Sequence, residues 1–126
     1  MNIEFIILLM IFLHIVDDYY LQGILAQMKQ RSWWAKNSRN PKYKYDYIWA
    51  LIMHSFSWSF MIMLPIAFVN GFAVNLAFIC VVAANLIIHS IVDHMKANLR
   101  IINLWKDQII HLVQIFVTAA IFLMPT

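Results

Sequence analysis

Four long apolar stretches separated by three polar connections dominate this chain, over residues of about 3–28, 47–69, 72–96 and 104–124. Each matches or exceeds the roughly 20 residues that carry a helix across a bilayer. The runs are continuous and lack the ten-residue alternation of a membrane barrel, which selects helices. The pattern predicts an all-α membrane protein: a four-transmembrane-helix antiparallel bundle forming a single domain over residues 1–126. Asn70-Gly71 supplies the turn between the second and third stretches, and Pro125 ends the fourth.

The apolar stretches are interrupted in a regular way. His14, Asp18 and Gln22 stand four apart in the first, Asn85, His89 and Asp93 four apart in the third, and Asp107 and His111 four apart in the fourth, with Gln114 on the same face. The second carries His54. Residues four apart share a helical face, so each cylinder bears one polar stripe, and ionisable groups in lipid-spanning segments face the protein interior. Near the N-terminus two aspartates compete: Asp17 keeps a three-residue step from His14, whereas Asp18 keeps the four-residue step that continues to Gln22. The longer periodicity favours Asp18.

Composition agrees with the pattern. The 126 residues are 63% hydrophobic and 12% charged, far below the roughly 25% charged of a soluble domain. The mean hydropathy is +0.74. Cys80 is the one cysteine and lies in an apolar run, which rules out an internal disulfide and a cysteine metal cluster. Glu4 stands where a secretory signal carries basic residues, so the first stretch is expected to remain as a helix.

Charge placement sets the expected orientation. Six of the nine Lys and Arg residues lie between Lys29 and Lys44, and the others are Lys96, Arg100 and Lys106. The positive-inside rule puts these two connections in the cytoplasm and both termini outside, in a multi-pass protein of the cell (inner or plasma) membrane. The basic connection 29–46 also holds Trp33 and Trp34 and reads as a loop in the headgroup region, in contact with the lipid bilayer rather than with nucleic acid. At about 1.5 Å per residue, His54, His89 and His111 lie about 8–12 Å inside the cytoplasmic boundary, and His14 reaches the same level if its helix leaves the membrane near Gln22.

Four histidines and three aspartates at one depth form a set rich in metal ligands: His14, Asp18, His54, His89, Asp93, Asp107 and His111. The expected cofactor is a divalent metal, with Zn2+ the first candidate, although imidazole with carboxylate also suits iron or manganese. A structural His/Asp network that only joins helices is the competing reading. His94 falls off the stripe and reads as an interfacial side chain.

The run His14-Ile-Val-Asp-Asp18-Tyr-Tyr-Leu-Gln22, followed by His54, then His89-Ser-Ile-Val-Asp93-His-Met-Lys96 and Asp107-Gln108-Ile-Ile-His111, resembles a family of small bacterial and phage membrane proteins classed as domain of unknown function 3307. Its pattern is HxxxDFxLQ, a central histidine, HxxxDxxK and DQxxH, and the resemblance spans nearly the whole chain. Tyr19 stands where that family favours Phe. The resemblance implies Asp18 rather than Asp17, and Gln22, Lys96 and Gln108 as neighbours of the site. It implies no activity.

The leading functional expectation is a membrane-embedded metal-dependent hydrolase acting on an amphipathic, lipid-like substrate. A bound metal lowers the pKa of its water towards 7, and a spare carboxylate among Asp18, Asp93 and Asp107 takes or returns the proton. Lys96, Arg100 and Lys106 stand at the mouth of the site, where they suit a phosphate or an anionic headgroup. The ligand types are similar to those of intramembrane ceramidase-like hydrolases. The alternatives are a small proton or divalent-ion transporter or channel, as a homo-oligomer, and a phage or host membrane interaction protein.

Overall fold

The computed structural model describes residues 2–124, which are helical with no strand among them. Helix α1 spans Ile3–Ile15 and runs directly into a π-helical segment, Val16–Leu21. Two short helices follow, α2 (Leu25–Met28) and α3 (Arg31–Asn37), and then a 3₁₀ turn, Pro41–Tyr43. The long elements are α4 (Asp46–Val69), α5 (Leu76–Ala97) and α6 (Leu104–Leu123). All three are long and apolar enough to cross a membrane. Pro125, the expected stop for the last helix, lies outside the described residues.

Asparagines start three of these helices. The side chains of Asn2, Asn75 and Asn103 accept from the backbone N–H of Phe5, Phe78 and Lys106 at 2.9, 2.9 and 3.0 Å. Each satisfies a donor that the first turn of a helix leaves unpaired.

Two element boundaries differ from the hydropathy pattern. The third stretch was expected to be helical from residue 72, but α5 begins at Leu76. Gly71 and Phe72 both take left-handed backbone, with φ of 62° and 59°, and the Phe72 N–H reaches back to Ala67 O at 2.6 Å to close α4. Asn75 then restarts the helix. The first stretch was expected to be one helix to residue 28, but it is broken after Ile15: the chain widens into the π segment and then turns at Gly23, whose φ is +49°. The Gln22 side-chain amide donates to Asp18 O and satisfies a carbonyl at the break.

Helix α1 packs against α4 and α6, and α5 packs against the same two helices. His54 stands early in α4, His89 late in α5 and His111 early in α6, so their approach requires successive helices to run in opposite directions. The apolar core fills one half of the assembly, where Ile6, Met10, Ile62, Ile66 and Ile115 are buried. The other half is polar inside. Outward positions are apolar, with Leu8, Phe12, Leu76 and Trp105 among the exposed residues. An apolar exterior over a polar interior suits a lipid solvent.

Helices α2 and α3 lie across the basic end. Trp34 Nε1 donates to Met28 O at 2.7 Å, which folds the two short helices together. Asn98, just past α5, clamps them: its Nδ2 donates to Lys29 O at 3.0 Å and its Oδ1 accepts from the Arg31 N–H at 2.7 Å.

Candidate metal centre

The polar half of the interior is built from one stripe on each element. Helix α4 contributes His54, α5 contributes His89 and Asp93, α6 contributes Asp107 and His111, and the π segment contributes Asp18. Five of these six side chains are 0% exposed and Asp18 is 5% exposed. The four-residue spacing places each pair on one face, and helix packing turns those faces together.

The closest convergence involves four atoms. His54 Nε2 lies 3.1 Å from His89 Nε2, 3.3 Å from Asp18 Oδ1 and 3.2 Å from Asp93 Oδ2. His89 Nε2 lies 3.9 and 3.8 Å from the same two oxygens. Ligands held tetrahedrally at 2.0–2.1 Å from zinc would be about 3.3–3.4 Å apart, and the five distances, 3.1–3.9 Å, bracket that value. Two sets, Asp18 with His54 and His89, and His89 with Asp93 and His111, each bring three ligand atoms within 4.8 Å of one another. Both can hold a metal ion.

His14 takes a different place. Indole N–H can only donate, so the 2.7 Å contact from Trp58 Nε1 makes His14 Nδ1 an acceptor and puts the proton on Nε2. That nitrogen donates to Gln108 Oε1 at 3.0 Å, and Gln108 Nε2 donates to Asp107 Oδ2 at 2.9 Å. Neither ring nitrogen of His14 is free for a metal. Of the expected ligands it is the one that the hydrogen bonds turn into a support for a neighbouring carboxylate.

A second directed chain orients His111. Asn85 Nδ2 donates to Thr118 Oγ1 at 2.8 Å, which leaves Asn85 Oδ1 as an acceptor for Gln114 Nε2 at 3.1 Å. Gln114 Nε2 also lies 3.2 Å from Asn85 O, so its Oε1 faces His111 Nδ1 at 3.1 Å and that nitrogen carries the proton. In the neutral ring His111 Nε2 is then the lone pair. It points at Asp107 Oδ1, 3.3 Å away, and Asp93 Oδ1, 3.7 Å away.

Two ammonium groups balance part of the negative charge. Lys29 Nζ donates to Asp93 Oδ2 at 2.6 Å, and Lys96 Nζ donates to Asp107 Oδ2 at 2.6 Å while lying 3.5 Å from Asp93 Oδ1. Lys29 was read from the sequence only as one of six orienting charges, because it opens the basic loop. The break after the π segment folds it back onto Asp93. Asp17 is buried beside the centre and accepts from Ser57 Oγ at 2.6 Å, so Asp18 is the aspartate that faces the histidines.

Among the other expected neighbours, Lys96 and Gln108 bond the Asp107 carboxylate, whereas Gln22 reaches only the backbone carbonyl of Asp18. Arg100 does not belong with them. It is exposed in the turn after α5, at a left-handed φ of 57°, and Lys106 is exposed on α6. Trp58 was legible only as an aromatic in an apolar run, yet its ring is fully buried and stacks on His89 with centroids 4.2 Å apart. His94 lies off the cluster and stacks on Tyr47, as expected of a side chain outside the stripe. Comparison with protein-family models, curated proteins and solved structures gives no match.

Proposed function

We propose that this chain crosses the membrane with four segments, basic connections on the cytoplasmic side, and works as a metal-dependent hydrolase on an amphipathic, lipid-like substrate. The observation that carries the reading is the convergence of His54 Nε2, His89 Nε2, Asp18 Oδ1 and Asp93 Oδ2 in a fully enclosed layer. Charge supports it. Asp17, Asp18, Asp93 and Asp107 are buried there beside two ammonium groups, Lys29 and Lys96, and the rest of the balance falls to protons on the paired imidazoles or to one divalent cation. An uncompensated charge at this depth costs several kcal/mol, on the order of the penalty for any ion taken from water without a partner.

A metal held at these atoms would activate water and polarise a carbonyl or phosphoryl oxygen. The side chains do the rest. Trp58 stacks on His89 and fixes His14, and Gln108 holds Asp107 in place for proton transfer. Lys96 is a quarter exposed, bonds Asp107 and marks the approach from the basic end, where a headgroup would enter.

A second reading, passage of protons or divalent ions, draws support from the buried chain His111, Gln114, Asn85 and Thr118, which extends polar contacts beyond the cluster into the apolar half. The deciding experiment is metal analysis of detergent-purified protein beside hydrolysis assays on lipid ester, amide and phosphoester panels. Stoichiometric metal that falls in His89→Ala, with hydrolysis that falls alongside it, supports the hydrolase. No stoichiometric metal in the wild type, or unchanged metal in His89→Ala, overturns it. Metal without hydrolysis but with ion flux in vesicles transfers the centre to the second reading.

A further inference from the structure

We infer that the centre holds two cations rather than one, with Asp93 as the bridge between them; this rests on the metal-centre reading above. The first position is the group already described, where Asp93 offers Oδ2. The second lies on the other side of the same carboxylate, among His111 Nε2, Asp107 Oδ1 and Asp93 Oδ1.

The second position follows from hydrogen-bond direction. Gln114 has its two donated bonds taken by Asn85, so it accepts from His111 Nδ1, and in the neutral ring His111 Nε2 presents a lone pair. That lone pair faces two carboxylate oxygens. All three atoms are buried and none has a hydrogen-bond partner among the described residues. His111 Nε2 lies 3.7 and 3.3 Å from Asp93 Oδ1 and Asp107 Oδ1, and acceptors that close repel unless a cation or a proton sits between them. Lys96 does not fill that place: its ammonium binds the outer oxygen of Asp107 at 2.6 Å and stays 3.5 Å from Asp93 Oδ1. An imidazole nitrogen with two carboxylate oxygens is a set that zinc, manganese and iron(II) accept.

Asp93 is suited to bridging because its two oxygens face different partners. Oδ2 points to His54 and Oδ1 points to His111, at 3.2 and 3.7 Å. His89, whose ring stacks on His111 with centroids 4.1 Å apart, lies between the two positions. Two ions sharing one carboxylate are about 3.5–4 Å apart, the separation at which a pair clamps both the attacking and leaving oxygens of a displacement.

Lys29 is the charge that gives way. Its ammonium occupies Asp93 Oδ2, the oxygen required by the first cation, and it sits at the basic end of the molecule. With Lys29 released, four carboxylates and Lys96 beside two divalent ions leave a surplus of one positive charge. That surplus selects an anionic substrate group, a phosphoester or carboxylate, over a neutral one.

The test is reconstitution with Mn2+ alone, read by metal content per chain and by electron paramagnetic resonance. Two equivalents with an exchange-coupled spectrum in the wild type, falling to one uncoupled ion in Asp107→Asn and His111→Ala, support the inference. Asp107→Asn keeps the shape of the side chain, and circular dichroism on each variant separates a lost site from a lost fold. One equivalent in the wild type, unchanged in Asp107→Asn, overturns the second position and leaves the single-metal reading standing; a proton on His111 would give this result. No bound ion in a folded wild type overturns both.

Discussion

Trp58 Nε1 donates to His14 Nδ1 at 2.7 Å, and this bond decides which nitrogen of His14 carries the proton. Replacing Trp58 by Phe would keep much of the ring packing and remove the donor. His14 Nδ1 would then be a stranded buried acceptor, a defect that costs about 1–3 kcal/mol. Unfolding of Trp58→Phe in detergent should shift by that amount while the metal count per chain stays the same. An unchanged unfolding transition would contradict the assigned hydrogen bond.

His14 and His54 were equivalent candidates in the sequence but stand in different roles in the structure. His14→Ala should keep the full metal count, with affinity weaker by roughly 10–100-fold, the usual effect of removing a group that orients a ligand. His54→Ala should lower the count. Titration of both variants with Zn2+, followed by metal analysis, separates the two outcomes, and equal loss in both would place His14 among the ligands.

Lys29→Met should act in opposite directions with and without metal. Without metal, it takes the nearest ammonium from buried Asp93 and leaves only His54, His111 and the more distant Lys96, a loss of up to about 3–5 kcal/mol. With metal, it removes the competitor for Asp93 Oδ2 and should tighten binding. At a free ion concentration 100-fold above the dissociation constant, binding returns about 2.7 kcal/mol. Thermal unfolding of the variant with and without Zn2+ should therefore show a larger metal-induced rise than the wild type, and an equal or smaller rise would remove Lys29 from the centre.

Lys96 and Arg100 provide a contrast at the same end of α5. Lys96→Gln breaks an ion pair with buried Asp107 and should destabilise the protein by a few kcal/mol, towards the lower end of the roughly 3–5 kcal/mol range because the lysine is partly exposed. Arg100→Gln should remain within about 0.5 kcal/mol of the wild type, as exposed substitutions usually do. Chemical unfolding of both variants reads the difference directly.

The parts of the site that were legible in the sequence are those that one helix can encode alone. His89 with Asp93 and Asp107 with His111 follow from a four-residue step on an apolar cylinder, and the structure sets both pairs in the cluster. Contacts between elements left weaker traces. Lys29 resembled any orienting charge until the chain folded back, and Trp58 resembled any lipid-facing aromatic until its indole met His14. Hydropathy also merged segments that backbone geometry separates, because Phe72 is apolar whether it is helical or left-handed. The break after Ile15 had the same cause: VDDYYL has no proline or glycine to mark it.

That π segment makes the surroundings of the centre depend on helix type. Its wider turn brings both Asp17 and Asp18 inside, at 1% and 5% exposed, and sets the phase at which Gly23 turns the chain towards Lys29. Regular α-helix over the same six residues would rotate everything downstream by about 100°, because a π turn takes up about one extra residue. No ligand would have been altered, yet Lys29 would miss Asp93. The partner of that lysine hangs on the helix type of a stretch whose Tyr19 and Tyr20 are both exposed.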